Sequence, residues 1–364
     1  MPPNPAFDNA VAPAFVAASP QRLLLPSSMD SRNLYCRELG RAYAALGHTV
    51  VFGADNLAEA GMSFDFVHLQ WPEEHYRWRG QGAFEARGVR FVADLDRVKA
   101  AGARLIWTVH NLAPHENVED ALDRRIYQAV IDRADLIVHH CDASVAALGA
   151  LYRVGAGVRH VVVPHGNYFA YPRGIAKAEA RHRLGLPDDA FVMLAFGRVR
   201  AYKGLDLLLR AFALARVPRK RLLIAGVYRP AGGWSDRVRM AWVQYFKPGV
   251  RAFLHEVPDE DVQVHLAASD VVVLSHRAVL NSGVAVLGMS FGKPVIGPRA
   301  GCLPAVIAGD YNVLYEPGDP LALAMAMERS SRIDPAGAEA ANMAAAARWD
   351  WRDIAQQVMA AATR

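Results

Sequence analysis

The sequence reads as an α/β protein made of two Rossmann-like, doubly wound parallel sheets that face each other across a cleft. Three observations predict this. The chain has 364 residues, more than one ordinary α/β core holds and suited to two domains of about 150–200 residues each. Short, almost purely apolar runs alternate with stretches of helical periodicity in both halves, as in parallel sheets buried on both faces. Several of these runs end in polar or glycine-containing turns, and open α/β sheets bind ligands beyond the carboxyl ends of their strands. The expected partition is a flexible tail over 1–20, a first domain over 21–170 and a second over 171–348, with a further helical stretch at 349–364.

Composition narrows the function classes. Hydrophobic residues make up 52% and charged residues 21%, which describes a soluble globular enzyme rather than a disordered or fibrous chain. The net charge is +5, and the whole positive excess lies after residue 170, in agreement with an anionic nucleotide bound there. The cations form no dense cluster and match no nucleic-acid reader motif, so nucleic acid is not an expected partner. No uninterrupted run of about 18 apolar residues predicts a membrane span. The first 21 residues are rich in Pro and Ala, lack a basic segment and are interrupted by Pro13, which favours a tail over a signal peptide. Cys36, Cys141 and Cys302 are far apart and lack metal-ligand spacing.

In the first half, 22–26 reads as a strand, 33–46 as a helix with Leu34, Leu39, Tyr43 and Leu46 near one face, and 49–53 as a second strand after Gly47-His48. A third strand over 66–70 runs into Trp71-Pro-Glu-Glu-His-Tyr-Arg-Trp-Arg79. Its Trp71 and Tyr76 suit a sugar platform and Glu73 and Glu74 are candidate bases; an ordinary amphipathic surface helix is the other reading. Asp94-Leu-Asp96 has the spacing of a metal-binding Asp-x-Asp, but it lies within a helical run over 83–101 and reads as a solvated face. A strand over 104–110 ends in Thr108-Val-His-Asn-Leu-Ala-Pro-His-Glu116. There His110, His115 and Glu116 form the best acid–base cluster of this half. A metal reading of the same three lacks the helical spacing of His-Glu-x-x-His. Helix 118–133, strand 136–140, helix 143–152 capped by Asp142, and strand 160–163 complete the half.

In the second half, the apolar run 191–196 ends at Gly197, and Leu205, Leu208, Leu209 and Phe212 recur at helical spacing. Between them lie Arg198, Arg200 and Lys203, cations beside the positive end of a helix: an anion site, most naturally for phosphate. A solvated loop is the alternative. Strand 221–226, helix 259–267 and strand 270–275 follow, then Ser275-His276, and Asn281-Ser282-Gly283, which suits a helix cap that offers backbone N–H groups. A strand at 312–315 and helices at 320–331 and 336–347 end the domain.

Gly197-Arg198 with Lys203-Gly204, and the later Gly292-Lys-Pro-Val295, resemble motifs of the GT-B glycosyltransferases, especially family four (glycosyl transferases group 1). The resemblance implies that a sugar passes from a UDP- or GDP-sugar to a lipid-linked saccharide acceptor in surface polysaccharide or glycolipid assembly. It implies no metal and no cofactor. Arg198 and Lys203 would grip the diphosphate, with Gly197, Ser275, His276, Asn281, Ser282 and Gly283 around the donor. His110, in a Thr-x-His segment, would face the donor sugar; Glu73, Glu74 and Glu116 are the candidate bases, and Asn33, Trp71, Tyr76 and His115 the acceptor side. Residues 349–364 resemble the family's terminal helix, which crosses back to the first domain. The scattered cysteines, the aromatic–basic stretch Tyr76 to Arg79 and the lack of a spanning run predict a cytoplasmic location with peripheral contact at the inner face of a membrane. The chain departs from the family pattern where two glutamates are expected: Val279 to Asn281 and Leu287 to Gly288 stand there, leaving retention or inversion of configuration open. An epimerase or hydrolase of the same fold, and a non-catalytic nucleotide-sugar scaffold, are the alternatives.

Overall fold

The structure is a computed structural model and describes residues 19–27, 34–77, 82–114, 120–198, 203–228 and 248–364. The chain forms two compact units, Met1–Gly166 with Trp349–Arg364, and Asn167–Arg348. Residues just beyond Gly166 bond within the second unit. Asn167 Nδ2 donates to Ala346 O at 3.3 Å and Tyr168 N to Ser290 Oγ at 3.0 Å.

In the first unit, β1 (Arg22–Leu25), β2 (Thr49–Phe52), β3 (Phe66–Leu69), β4 (Arg104–Thr108), β5 (Leu136–His139) and β6 (Arg159–Val162) pair in the order β2-β1-β3-β4-β5-β6, all parallel. Leu23, Leu24 and Leu25 are all fully buried, because helices cover both faces of a parallel sheet. One face packs Leu23, Leu25, Ile106 and Val138 against Tyr43 of helix Leu34–Ala45 and Ile354 and Val358 of helix Trp351–Thr363. Arg104 Nη1 and Arg159 Nη1 donate to the carbonyls of Ala362 and Ala361 at 2.5 and 2.6 Å. Two cations thus satisfy acceptors at the negative end of the terminal helix and hold it on the sheet. Asp94 and Asp96 lie in helix Phe84–Ala100, and Asp96 takes two hydrogen bonds from Arg133 at 2.7 and 2.8 Å, an ion pair between helices. Asp142 is the first residue of helix Asp142–Leu151, which Cys141 precedes as N-cap.

In the second unit, β7 (Phe191–Phe196), β8 (Lys220–Ala225), β9 (Val250–Phe253), β10 (Val271–Val273), β11 (Val295–Pro298) and β12 (Val313–Tyr315) pair in the order β12-β11-β10-β7-β8-β9. Every pair is parallel. The chain builds outward in one direction from β7 and then in the other from β10. That reversal leaves a crevice beyond the carboxyl ends of these two neighbouring strands. The first unit reverses in the same way between β1 and β3.

Candidate active site

The crevice at β7 and β10 brings together Gly197, Arg198, Lys203, Ser275 and His276, which line one small pocket. Gly197 turns the chain at φ 89° while its N–H continues the ladder to Ala225 O at 2.9 Å. A Cβ there would lie 3.3 Å from Lys203 Nζ and 3.5 Å from Val284 Cγ2. The lysine ammonium and the first turn of helix Gly283–Ser290 therefore meet over this glycine. Gly204 sits in the left-handed region, φ 62° and ψ 45°, and starts helix Leu205–Leu214, whose first turn carries Asp206; Arg277 and backbone N–H groups of that turn hold the Asp206 carboxyl below its ordinary value. Ser275 Oγ donates to Lys203 O at 2.6 Å, tying the two loops together.

Ser282 caps helix Gly283–Ser290 by accepting from Ala285 N at 3.4 Å, as the Asn281-Ser282-Gly283 triplet predicts. Leu287 is 5% exposed, and a Cβ on Gly288 would come within 3.0 Å of Val272 and 3.1 Å of Val295. Both positions are committed to packing this helix on the sheet. The electrostatic result is a concave site with an ammonium and a guanidinium, both favouring bound negative charge.

The first unit gathers a different chemistry at its strand ends. His110 follows β4, His140 follows β5 and His165 follows β6; they are 7%, 1% and 8% exposed. Tyr35 stands among them, its ring centroid 4.6 Å from His110, 5.7 Å from His140 and 5.0 Å from His165. Trp71 stacks on His110 at 4.1 Å with the planes 18° apart. His110 Nε2 lies 2.9 Å from Gln70 Oε1, and His140 Nδ1 lies 3.1 Å from Val163 O. Burial, reinforced by neighbouring histidines, holds His110 well below its ordinary value, brings His140 to about 4 chiefly by burial alone, and with His140 brings His165 to about 3. The cluster is uncharged at neutral pH.

Glu73 and Tyr76, expected at an acceptor surface, belong to another network. Glu73 is 1% exposed and accepts from Tyr127 Oη at 2.7 Å; burial pushes its carboxyl up. Tyr76 is fully buried and donates to Asp123 Oδ1 at 2.6 Å, and Asp123 also takes Arg77 in an ion pair. The short helix Glu73–Tyr76 thus turns these two side chains inward. Glu74 is half-buried and its charge helps burial raise the Cys36 thiol to about 12. Asn33, His115 and Glu116 lie outside the described residues, as do Arg200, Ser28 and Ser31. Sequence reading passed over Gln70, Tyr35 and His140, which arrive from separate elements; the one linear signal was a polar Gln70 ending an apolar strand. Among the described residues, no group of three or more His, Cys, Asp or Glu side chains is placed to hold a metal ion, and no helix is long and apolar enough to cross a membrane.

An α/β unit whose crevice gathers two cations, in one chain with a second whose strand ends carry uncharged hydrogen-bonding rings, has the make-up of a group-transfer enzyme with an anionic substrate. Comparison with known proteins narrows the class. The family model described as Glycosyl transferases group 1 matches residues 190–332. The D-inositol 3-phosphate glycosyltransferase of Corynebacterium urealyticum is 30% identical over 320 residues, covering 82% of this chain and 71% of that relative; of the Corynebacterium diphtheriae counterpart the chain covers 64%. The GDP-mannose:glycolipid 4-beta-D-mannosyltransferase of Xanthomonas campestris pv. campestris is 27% identical over 338 residues, 90% of each chain. In fold, the chain superposes on Anabaena HepE in complex with UDP-glucose with a TM-score of 0.71 at 17% identity, covering 93% of this chain and 98% of that one. The chain belongs to the group 1 glycosyltransferases and has the GT-B fold.

Proposed function

We propose that this enzyme transfers a sugar from a UDP- or GDP-sugar to a saccharide carried on a lipid. The observation that carries the donor half is the convergence of Arg198 and Lys203 on the crevice at Gly197. Departure of the diphosphate develops negative charge, and donors fixed in advance stabilise that charge more in the transition state than in the ground state. This arrangement neutralises phosphate without a metal ion. The names of two similar proteins support the substrate classes: one acts with GDP-mannose on a glycolipid, and the other was solved with UDP-glucose.

His110 serves the transfer step as a neutral imidazole that hydrogen-bonds the donor sugar. Glu73 is withdrawn as acceptor base because its carboxylate is buried on Tyr127. Glu74, and His115 and Glu116 beyond the described residues, stay as candidates, and front-face transfer assisted by the substrate would need no protein base.

The two halves of this reading separate experimentally. Lys203→Ala and Arg198→Ala are each expected to weaken UDP or GDP binding by about 10- to 100-fold, the worth of one charge-assisted phosphate contact, with EDTA present throughout. His110→Ala is expected to hold nucleotide affinity within about threefold while turnover falls about 100-fold or more. Calorimetric titration and a transfer assay on variants checked by circular dichroism decide both. Wild-type nucleotide affinity in the two cation variants, or strict dependence on Mg²⁺ or Mn²⁺, overturns the donor site; normal turnover of His110→Ala overturns the role of the histidine.

A further inference from the structure

The two segments that flank the crevice of the second unit carry a further pair of charges just outside the pocket lining. The segments touch where Ser275 Oγ donates to Lys203 O at 2.6 Å. Two residues past Ser275 stands Arg277, and three past Lys203 stands Asp206, in the first turn of helix Leu205–Leu214. Arg277 Nη2 donates to Asp206 Oδ2, an ion pair that spans the junction. Arg277 thus follows directly on His276, which lines the pocket with Arg198 and Lys203, yet its guanidinium faces a carboxylate of its own chain.

Magnitudes decide how firmly it is held there. The two side chains are 56% and 40% exposed, and an exposed pair of this kind favours the paired state by no more than about fivefold. Parting them strands neither charge. Asp206 keeps backbone N–H groups of its own turn as partners, and both side chains are open to water. A guanidinium that meets a phosphate instead gains a planar, two-pronged, charge-assisted contact that raises affinity about tenfold or more.

We propose that Arg277 is a third cation of the donor site, held beside the crevice by Asp206 and exchanged onto the nucleotide diphosphate when the donor binds. The inference rests on the donor reading above but adds a residue and a linkage that Gly197-Arg198 and Lys203-Gly204 do not contain. Asp206 opposes binding, because its pair with Arg277 opens before the guanidinium meets phosphate. The carboxylate is an internal competitor for the ligand.

The sign of the Asp206 effect is the test. Calorimetric titrations with UDP and with GDP, in EDTA, compare the wild type, Arg277→Gln, Asp206→Asn and the double variant. Arg277→Gln is expected to bind about tenfold more weakly. Asp206→Asn is expected to bind about three- to fivefold more tightly, since no pair has to open. In the double variant that gain is expected to vanish, leaving the affinity of Arg277→Gln; such a cycle isolates the coupling between the two residues. Arg216→Gln removes an exposed cation just past the other end of helix Leu205–Leu214 and is expected to stay within about twofold of the wild type. Thermal melting checks that each variant is folded. Unchanged affinity in Arg277→Gln, an equal loss in Arg216→Gln, unchanged or weaker binding in Asp206→Asn, or the same gain from Asp206→Asn with and without Arg277 overturns the exchange. Lys203→Ala in the same titrations keeps the two readings apart. Weakened binding there beside an unchanged Arg277→Gln sinks the exchange alone, whereas full affinity in Lys203→Ala sinks the donor site and the exchange with it.

Discussion

Gly204→Ala is expected to cost about 2–3 kcal/mol of stability and to abolish nucleotide binding together. The residue lies at φ 62°, and a Cβ on it would fall 2.2 Å from the carbonyl oxygen of Ser275. The left-handed backbone alone costs alanine about 1 kcal/mol. The overlap costs more, because the obstacle is backbone at the end of β10 rather than the tip of a flexible side chain. Relief requires the loop that carries Lys203 to separate from the one that carries Ser275. That breaks the 2.6 Å hydrogen bond between them and displaces both the ammonium and the N-terminus of helix Leu205–Leu214. Strain and function fail for one geometric reason. A melting temperature lower by about 5–10 °C, with no calorimetric signal for UDP or GDP, is the expected result. Gly61→Ala is the control, since nothing lies within 4 Å of a Cβ there. A Gly204→Ala protein that binds nucleotide with wild-type affinity would show that the crevice is not built by this close approach.

Mild acid is expected to unfold the first unit well before the second. Burial holds His68 and His139 near 3, His140 near 4 and His165 near 3, with His110 well below its ordinary value. Each is lowered on folding from an unfolded value of 6.5. Below pH 6.5 the unfolded chain therefore binds more protons than the folded one, and stability is lost as pH falls from there toward 4. The loss is roughly 1.4 kcal/mol per group per pH unit, on the order of 5 kcal/mol for the cluster by pH 5.5. Glu73, whose carboxyl is pushed up by burial, shifts the balance the other way as it protonates, and offsets part of this. In the second unit, burial holds His265 low. Calorimetry at pH 7.5 and 5.5 should show the transition of the first unit fall by roughly 10–20 °C and that of the second move much less. Equal transitions at the two pH values would mean that the histidines are hydrated and titrate normally.

What was legible along the chain is what neighbouring residues encode together. Apolar runs such as Phe191 to Phe196 declare strands buried on both faces, and the leucines after Gly204 declare a helix. That Gly197, Arg198 and Lys203 share one crevice was legible for the same reason: they are contiguous with the strand and helix that place them. Burial in the Glu73–Tyr76 segment was not. The same local pattern serves an exposed amphipathic helix, and only Tyr127 and Asp123, some fifty positions later, draw Glu73 and Tyr76 inward. The surroundings of His110 were equally out of reach, since Tyr35, Gln70, Trp71, His140 and His165 come from four other elements and meet only where strands end side by side. Local pattern chooses strand, helix and turn because those depend on residues a few positions apart. Protonation state and tautomer depend on which distant groups exclude water around a ring and which oxygen faces it, and these are decided by tertiary packing.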